Sequence, residues 1–201
     1  MSISNTDKQL ILTAADYFHT QSAGYKTWGK VEFLQIAIRQ PNNQYLLTDP
    51  SKALSGIQEN DIQLLNNTDT IFGQLFSKRK NINVILITKQ EYASQVKEEI
   101  PPILDDQSQL LGVTIRVAKN EKDILYSLNN RFASILPNTQ SICIGTTLED
   151  AFVAAQLLEK TSKAFIEAKY LGGSRPINKI EAWLMQKFYQ YKYSKEASKN
   201  K

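Results

Sequence analysis

Hydrophobic residues along the chain recur with two different periods, and their order predicts alternating helices and strands. Apolar positions at helical spacing, together with capping residues, predict the longer helices. These run from Thr6 to a break at Ser22, over residues 69–77, 121–135 and 148–171, and onward from Pro176. A shorter helix is expected at residues 92–98, before a double proline.

Strand signals fill the gaps between these helices. Alternating or continuous apolar runs predict strands at residues 31–39, 45–47, 61–65, 82–87, 113–117 and 141–144, with a hairpin turn at 41–43. The run at 82–87 (INVILI) is nearly all apolar, which is typical of a strand covered on both faces. Because strands and helices interleave around one core, the pattern predicts a mixed α/β protein.

The length and composition favour one ordinary globular domain. The chain has 201 residues, and we expect a domain over residues 1–193 followed by a polar, basic, disordered tail at 194–201. No apolar run approaches the roughly 18 residues that cross a bilayer, and the amino terminus shows no secretory signal. The single cysteine, Cys143, has apolar neighbours typical of a buried thiol. These features together predict a cytoplasmic location without a membrane partner.

The net charge of +4 raises the question of nucleic-acid binding. The lysines near the carboxyl terminus lie in the predicted tail, and residues 78–80 (KRK) close a predicted helix. Basic side chains in a last helical turn favour the helix dipole without needing a ligand. We therefore do not expect nucleic acid as a partner.

Several motifs occur in an order known from one family of enzymes. Residues 146–152 (TTLEDAF), 157–159 (LLE) and 170–173 (YLGG) are similar to the carboxy-terminal signature of class II aldolases. Residues 47–51 (LTDPS) resemble the Ile-Thr-Pro-Ser-Gly loop of the same proteins. The chain thus resembles the class II aldolase/adducin family, which includes L-fuculose-phosphate aldolase and L-ribulose-5-phosphate 4-epimerase, over nearly its whole length.

This resemblance implies a fold and an assembly. The fold would be a three-layer α-β-α single domain with a central, largely antiparallel sheet. Family members are commonly tetramers with active sites between subunits, so a homo-oligomer is expected, with a tetramer as one option. The terminal helix would contribute Trp183 and Phe188, because aromatic residues are enriched in interfaces.

The resemblance also implies a zinc site, and here the chain departs from the family. Active relatives hold zinc with three histidines and use a nearby carboxylate as acid and base, while the metal acts as a Lewis acid. The three histidine positions fall on Ile87, Lys89 and Thr139, and the carboxylate position falls on Thr68, next to Asp69. The family's phosphate-binding Gly-Asn pair falls on Leu34 and Gln35.

The chain has too few metal-binding side chains to build the zinc site of the family. The whole chain has one histidine, His19, which is either a base or a surface group near the end of its helix. A protein zinc site needs three or four nitrogen, sulfur or carboxylate ligands. We therefore expect no metal, no cofactor and no zinc-dependent aldolase or epimerase activity.

Four residues are candidates for ligand binding if this chain has the fold of the family. Thr48, Ser51, Lys89 and Thr139 would line the former active-site cleft, where hydroxyls and an ammonium can bind a phosphate- or carboxylate-bearing small molecule. Alternatively, Lys89 fills the space left by the metal and keeps its charged end in water. Lys89 and Asp69 are also candidates for catalysis.

Two functions remain open on this reading. The first is a non-catalytic family member, a pseudoenzyme that acts as a scaffold, a regulatory subunit or a binder of small anionic ligands. The second is a metal-independent enzyme acting on a sugar phosphate or a related carbonyl compound, with Lys89 forming a Schiff base. We favour the first, because the sequence shows no obvious second acid or base beside Lys89.

Overall fold

The computed structural model describes residues 5–24, 28–66 and 70–199. The strands are β1 (Val31–Gln40), β2 (Gln44–Thr48), β3 (Ile62–Asn66), β4 (Val84–Gln90), β5 (Arg116–Val117), β6 (Ala133–Ile135) and β7 (Gln140–Gly145). The helices are α1 (Asn5–Gly24), α2 (Ile71–Lys78), α3 (Ile124–Ser127), α4 (Leu148–Tyr170) and α5 (Lys179–Lys199). Short 3-10 turns at Leu54–Gly56, Glu59–Asp61, Ala93–Gln95 and Glu121–Asp123, and a π turn at Gln107–Leu111, lie in the connections.

The strands form one seven-stranded sheet in the order β3-β2-β1-β4-β7-β6-β5. Neighbouring strands are antiparallel except β5 and β6, which are parallel. The hairpin between β1 and β2 turns at Asn42 and Asn43, whose φ angles of 59° and 58° suit a tight hairpin. The predicted mixed α/β class with a largely antiparallel sheet is confirmed.

Helices cover both faces of the sheet, which gives the expected three layers. On one face, Val84 and Leu86 of β4 belong to a core cluster shared with α1 and α4. On the other face, Ile85 and Ile87 belong to a cluster shared with α2 and α3. Since side chains alternate between the faces of a strand, β4 is buried on both, as its apolar run predicts.

The turn from β7 into α4 explains the motif at residues 146–152. The Thr147 hydroxyl accepts the N–H of Asp150, and the Asp150 carboxylate accepts the N–H of Thr147, which forms a capping box. At Gly145, a Cβ atom would lie 2.4 Å from the backbone nitrogen of Ala151. Glycine is therefore required where the strand passes this close to the helix.

The helix predicted over residues 121–135 is wrong in its second half. Residues 121–127 are helical, as a 3-10 turn followed by the one-turn α3. The chain then turns at Asn130, whose φ is 55°, and Ala133–Ile135 form β6 beside β7. Asparagine adopts this left-handed conformation more readily than most residues, so it can end a helix without glycine.

Tertiary contacts stabilise this turn. Arg79, at the end of α2, donates from Nη1 to the carbonyl oxygens of Leu128 and Arg131, at 2.7 and 3.1 Å. The guanidinium thus satisfies acceptors that a continued helix would have paired internally.

Two other predicted elements are shorter than expected. The strand at 113–117 is reduced to Arg116–Val117, with Ile115 in an isolated bridge to Ile100. The helix at 92–98 is reduced to the turn Ala93–Gln95.

The last helix, α5, packs against the π turn Gln107–Leu111. It continues to Lys199, so the backbone of the predicted tail is helical up to that residue. Within the described ranges, each helix is too short or too polar to cross a bilayer.

Candidate functional site

Several strand ends meet at one end of the sheet. β1 begins there at Val31, opposite Gln90 near the end of β4. β7 begins there at Gln140, opposite Lys89. β2 ends there at Thr48. The connections next to these strands therefore converge on one side of the molecule.

A cavity of about 490 Å³ opens at this end of the sheet. It is lined by His19 of α1, by residues 30–34 at the start of β1, and by residues 50–55 in the loop after β2. Small-molecule sites in proteins commonly measure about 300–1,000 Å³. The cavity, called the β1 pocket below, thus has the size of a site for a small metabolite.

The β1 pocket exists because β2 covers only the second half of β1. β2 pairs with residues 37–40 of β1, and a bulge lies between Phe33 and Gln35. Next to the bulge, the Thr48 hydroxyl accepts the N–H of Ile36 at 3.0 Å, and Nε2 of Gln35 donates to the Thr48 carbonyl at 3.0 Å. Beyond these bonds, the loop at 50–55 takes the place of β2.

The apolar floor of the pocket is anchored by aromatic rings. The Phe33 ring stacks on Phe18 of α1, with centroids 4.7 Å apart, and on Phe152 of α4, with centroids 5.6 Å apart. Phe18 and Phe152 also stack on each other. The start of β1 is therefore fixed against both helices on this face of the sheet.

The rim of the pocket is polar and carries more positive than negative charge. The polar lining residues are His19, Lys30, Glu32, Ser51, Lys52 and Ser55, all of them exposed. Glu32 lies directly opposite Lys89 of β4. Directly opposed Cβ atoms are about 5 Å apart, so the Lys89 ammonium can offset the charge of Glu32. Lys30 and Lys52 then make the rim attractive to an anion.

Ser51 is oriented by its neighbour Asp49. Oδ1 of Asp49 accepts both the N–H and the hydroxyl of Ser51, each at 2.8 Å. These hydrogen bonds lower the pKa of the Asp49 carboxyl. Because the hydroxyl proton of Ser51 already points to Asp49, the two lysines are the stronger donors to an anion in the pocket.

The structure places the predicted ligand-binding residues at this end of the sheet, but in different surroundings. Ser51 lines the β1 pocket, together with Leu34 from the position of the family's phosphate-binding pair. Thr48 is 1% exposed, and its hydroxyl accepts the backbone N–H of Ile36 within the sheet, so it does not face the pocket. Lys89 and Thr139 are exposed on β4 and just before β7, one and two strands away from β1.

Comparisons with solved structures decide the fold. An L-fuculose 1-phosphate aldolase superposes with a TM-score of 0.80 at 17% sequence identity, covering 94% of this chain and 98% of that chain. The chain has the class II aldolase fold. An L-fuculose 1-phosphate aldolase from Glaciozyma antarctica matches with a TM-score of 0.66 at 17% identity over 90% of this chain and 80% of that one. An aldolase II superfamily protein from Pseudomonas syringae matches with a TM-score of 0.64 at 14% identity, over 94% and 86%.

No protein-family model and no curated protein matches the sequence. At these identities, the likeness concerns the class II aldolase fold and not its chemistry.

The positions that the resemblance assigns to the zinc ligands do not fit a metal ion. Ile87 is 7% exposed, belongs to the core cluster on the α2 side, and has no donor atom. Lys89 follows it on the same face and presents an ammonium, which repels a cation. Thr139 is exposed in a left-handed turn with a φ of 67°. A hydroxyl, an ammonium and a hydrocarbon are not a zinc ligand set.

The remaining titratable residues do not replace this site in the described part of the chain. No group of three or more His, Cys, Asp or Glu side chains there is arranged to hold a metal ion. Thr68, on which the family's carboxylate position was predicted to fall, and its neighbour Asp69 lie outside the described residues.

A buried carboxylate behind the pocket was not expected from the sequence. Glu159 of α4 is 0% exposed. Its Oε1 accepts the N–H of Tyr92 at 2.8 Å, and its Oε2 accepts the N–H of Ala93 at 3.0 Å. Burial raises the pKa of Glu159 to about 7, although both N–H groups lower it. The burial of Glu159 could have been inferred from its helical spacing, because it lies on the same face of α4 as Ala155 and Ser162, which are also buried.

Proposed function

We propose that this protein binds a small anion, a phosphate or a carboxylate, in the β1 pocket, without a metal ion and without turning it over. The observation that carries the proposal is the pocket itself, which has an apolar floor and a rim with Lys30, Lys52 and His19. An ammonium donates charge-assisted hydrogen bonds to oxyanions. A phosphate ester with a small apolar or hydroxylated body fits such a lining.

Phosphate is the first ligand group to test. Two solved structures of the same fold are named for a sugar phosphate, L-fuculose 1-phosphate. In this chain, Ser51 comes from the segment that resembles the family's Ile-Thr-Pro-Ser-Gly loop. Leu34 stands where the resemblance would put the family's phosphate-binding Gly-Asn pair, and both residues line the pocket. Lys30 and Lys52 flank these segments and supply positive charge.

The side chains at the positions assigned to the zinc ligands support the absence of catalysis. Ile87, Lys89 and Thr139 cannot hold the Lewis acid on which the class II aldolase reaction depends. The alternative, a Schiff-base enzyme, needs a lysine that has lost its proton. Such lysines are normally desolvated, whereas Lys89 is exposed and lies opposite Glu32. We therefore propose a pseudoenzyme.

The binding test is a calorimetric titration of inorganic phosphate at low salt. At exposed positions, each lysine–phosphate contact contributes roughly 1 kcal/mol. Replacing both Lys30 and Lys52 by Ser should then weaken binding by roughly thirtyfold. The matched control replaces Lys119 and Lys122 by Ser, because both follow β5 at the opposite edge of the sheet and the change in net charge is the same.

The control should bind phosphate within about twofold of the wild type. Equal losses in both double variants would show that net charge, and not the pocket, attracts the anion. No saturable binding to the wild type would refute the proposal.

We further propose that the chain forms a homo-oligomer in the cytoplasm through α5. Four exposed apolar residues recur on one side of this helix: Ile180, Trp183, Leu184 and Phe188 are 70%, 49%, 43% and 71% exposed. A contiguous apolar stripe of this kind is typical of an interaction surface. Sedimentation velocity should show a multimer for the wild type and a smaller species for Trp183→Ser/Phe188→Ser; a monomeric wild type would refute this part.

A further inference from the structure

A series of contacts that begins at Glu159 of α4 reaches the start of β1, which lines the β1 pocket. Both carboxylate oxygens of this buried residue are used, one on the N–H of Tyr92 and one on the N–H of Ala93. The residue thereby holds the turn that follows β4 against α4. A carboxylate that accepts two backbone N–H groups in a buried setting fixes the position of that backbone.

The same carboxylate lies against the segment that leads into β1. Gly29 has a φ of 151°, and a Cβ atom there would lie 2.3 Å from Oε1 of Glu159 and 2.9 Å from the Tyr92 ring. Only glycine allows the chain to pass this close with this conformation. The next residue is Lys30, which lines the pocket.

Two hydrogen bonds connect the turn to Lys30. The backbone N–H of Lys30 donates to the Glu91 carboxylate at 3.0 Å, and the N–H of Glu91 donates to the Lys30 carbonyl at 3.0 Å. Glu91 directly precedes the two residues that Glu159 holds. A continuous chain of contacts thus runs from α4 through the turn to the pocket.

We propose that Glu159 is a positioning residue for the β1 pocket, which fixes the backbone of Lys30 by holding residues 91–93 and packing against Gly29. The inference rests on the proposed anion site for its functional meaning. Its structural part, the dependence of Lys30 on Glu159, can be measured without any ligand.

The ligand-free test is hydrogen–deuterium exchange of the whole protein. In Glu159→Gln, the amide can accept only one of the two N–H groups, because its nitrogen is a donor. Exchange should accelerate at residues 92–93 and also at Lys30, Glu91 and the start of β1. The matched control is Glu149→Gln, an exposed glutamate at the other end of the same helix, which should leave both segments unchanged. Faster exchange at 92–93 alone would overturn the inference.

A second variant keeps the test valid if Glu159→Gln does not fold. Glu91 is exposed, so Glu91→Ala should leave the core intact while it removes the acceptor of the Lys30 N–H. Exchange at Lys30 should again accelerate, by at least about threefold, while residues 92–93 keep their protection through Glu159. Unchanged exchange at Lys30 would overturn the inference.

The functional test is a double-mutant cycle with inorganic phosphate as the probe. At pH 8, where Glu159 is ionised, Glu159→Gln should weaken phosphate binding by about fivefold, although removing a negative charge alone would strengthen it. In the Lys30→Ser background the same change should have an effect of less than about twofold. Equal losses in both backgrounds would mean a general loss of structure and overturn the inference. A wild type that binds no phosphate would instead refute the proposed function, and the exchange result would still decide the role of Glu159.

Discussion

The buried Glu159 makes the stability of this protein depend on pH in a defined direction. The pKa of its carboxyl is raised from 4.5 to about 7, because burial, aided by the neighbouring charge of Glu91, outweighs the hydrogen bonds from Tyr92 and Ala93 that lower it. Between these two pH values, the folded protein keeps a proton that the unfolded chain has released. The stabilisation is therefore fully present below about pH 4.5 and is lost as the pH rises through about 7.

The size of this loss follows from the two pKa values. The interval from 4.5 to about 7 corresponds to about 3 kcal/mol, at about 1.4 kcal/mol per pH unit. This is a large part of the roughly 5–15 kcal/mol by which a domain is stable. In Glu159→Gln the side chain does not titrate, so this contribution to the pH dependence should vanish.

The assay is urea unfolding of both proteins at pH 5 and pH 8, with Glu149→Gln, a change of an exposed glutamate on the same helix, as the control. The free energy of unfolding of the wild type should fall more between the two pH values than that of Glu159→Gln, by about 2–3 kcal/mol, since this range covers most but not all of the titration. The control should follow the wild type. Equal slopes for the wild type and Glu159→Gln would show that Glu159 is ionised throughout, and would refute the reasoning.

Three further outcomes follow from single contacts. Thr48→Val should lower the free energy of unfolding by about 1–3 kcal/mol, because the buried N–H of Ile36 loses its acceptor, whereas Thr48→Ser should lose less; equal losses would contradict this role. Gly145→Ala should cost at least about 2 kcal/mol and lower Tm by about 4 °C or more, because its Cβ would lie 2.4 Å from the Ala151 nitrogen; a wild-type Tm would contradict the close approach. Burial raises the pKa of Cys143 to about 12, so this thiol should react with a disulfide reagent only after unfolding; rapid reaction of the native protein would contradict its burial.

The sequence predicted the parts of the fold whose signals are local and strong. The alternating run that became β1, the apolar run that became β4, and the capped helix α4 all lie close to their expected positions. The antiparallel order of the strands came from the resemblance to class II aldolases, because periodicity alone does not tell which strands pair.

The error at residues 128–135 has a physical reason. Ile124, Leu128 and Phe132 have helical spacing, but the chain ends its helix where Arg79, far away in sequence, satisfies the free carbonyl groups. The left-handed Asn130 then redirects the chain into β6. Tertiary contacts override local propensity here.

The candidate site was predicted only in part, for a related reason. Ser51 could be placed because it lies in a segment that resembles the family. Lys30 and Lys52 are brought together by the fold, and no motif connects them. Thr48 was predicted to line the cleft, but it is buried, and its hydroxyl accepts a backbone N–H next to the bulge in β1, which no sequence pattern shows. Glu159 was missed because its partners are backbone groups.

The most direct test of the central claim is the phosphate affinity of the protein before and after removal of metal ions. Untagged wild-type protein is titrated with inorganic phosphate, treated with a strong chelator, checked for metal by mass spectrometry, and titrated again. The account predicts one saturable site per chain with the same Kd in both titrations, since lysines and not a metal hold the anion. Binding that disappears on chelation and returns with zinc would contradict it.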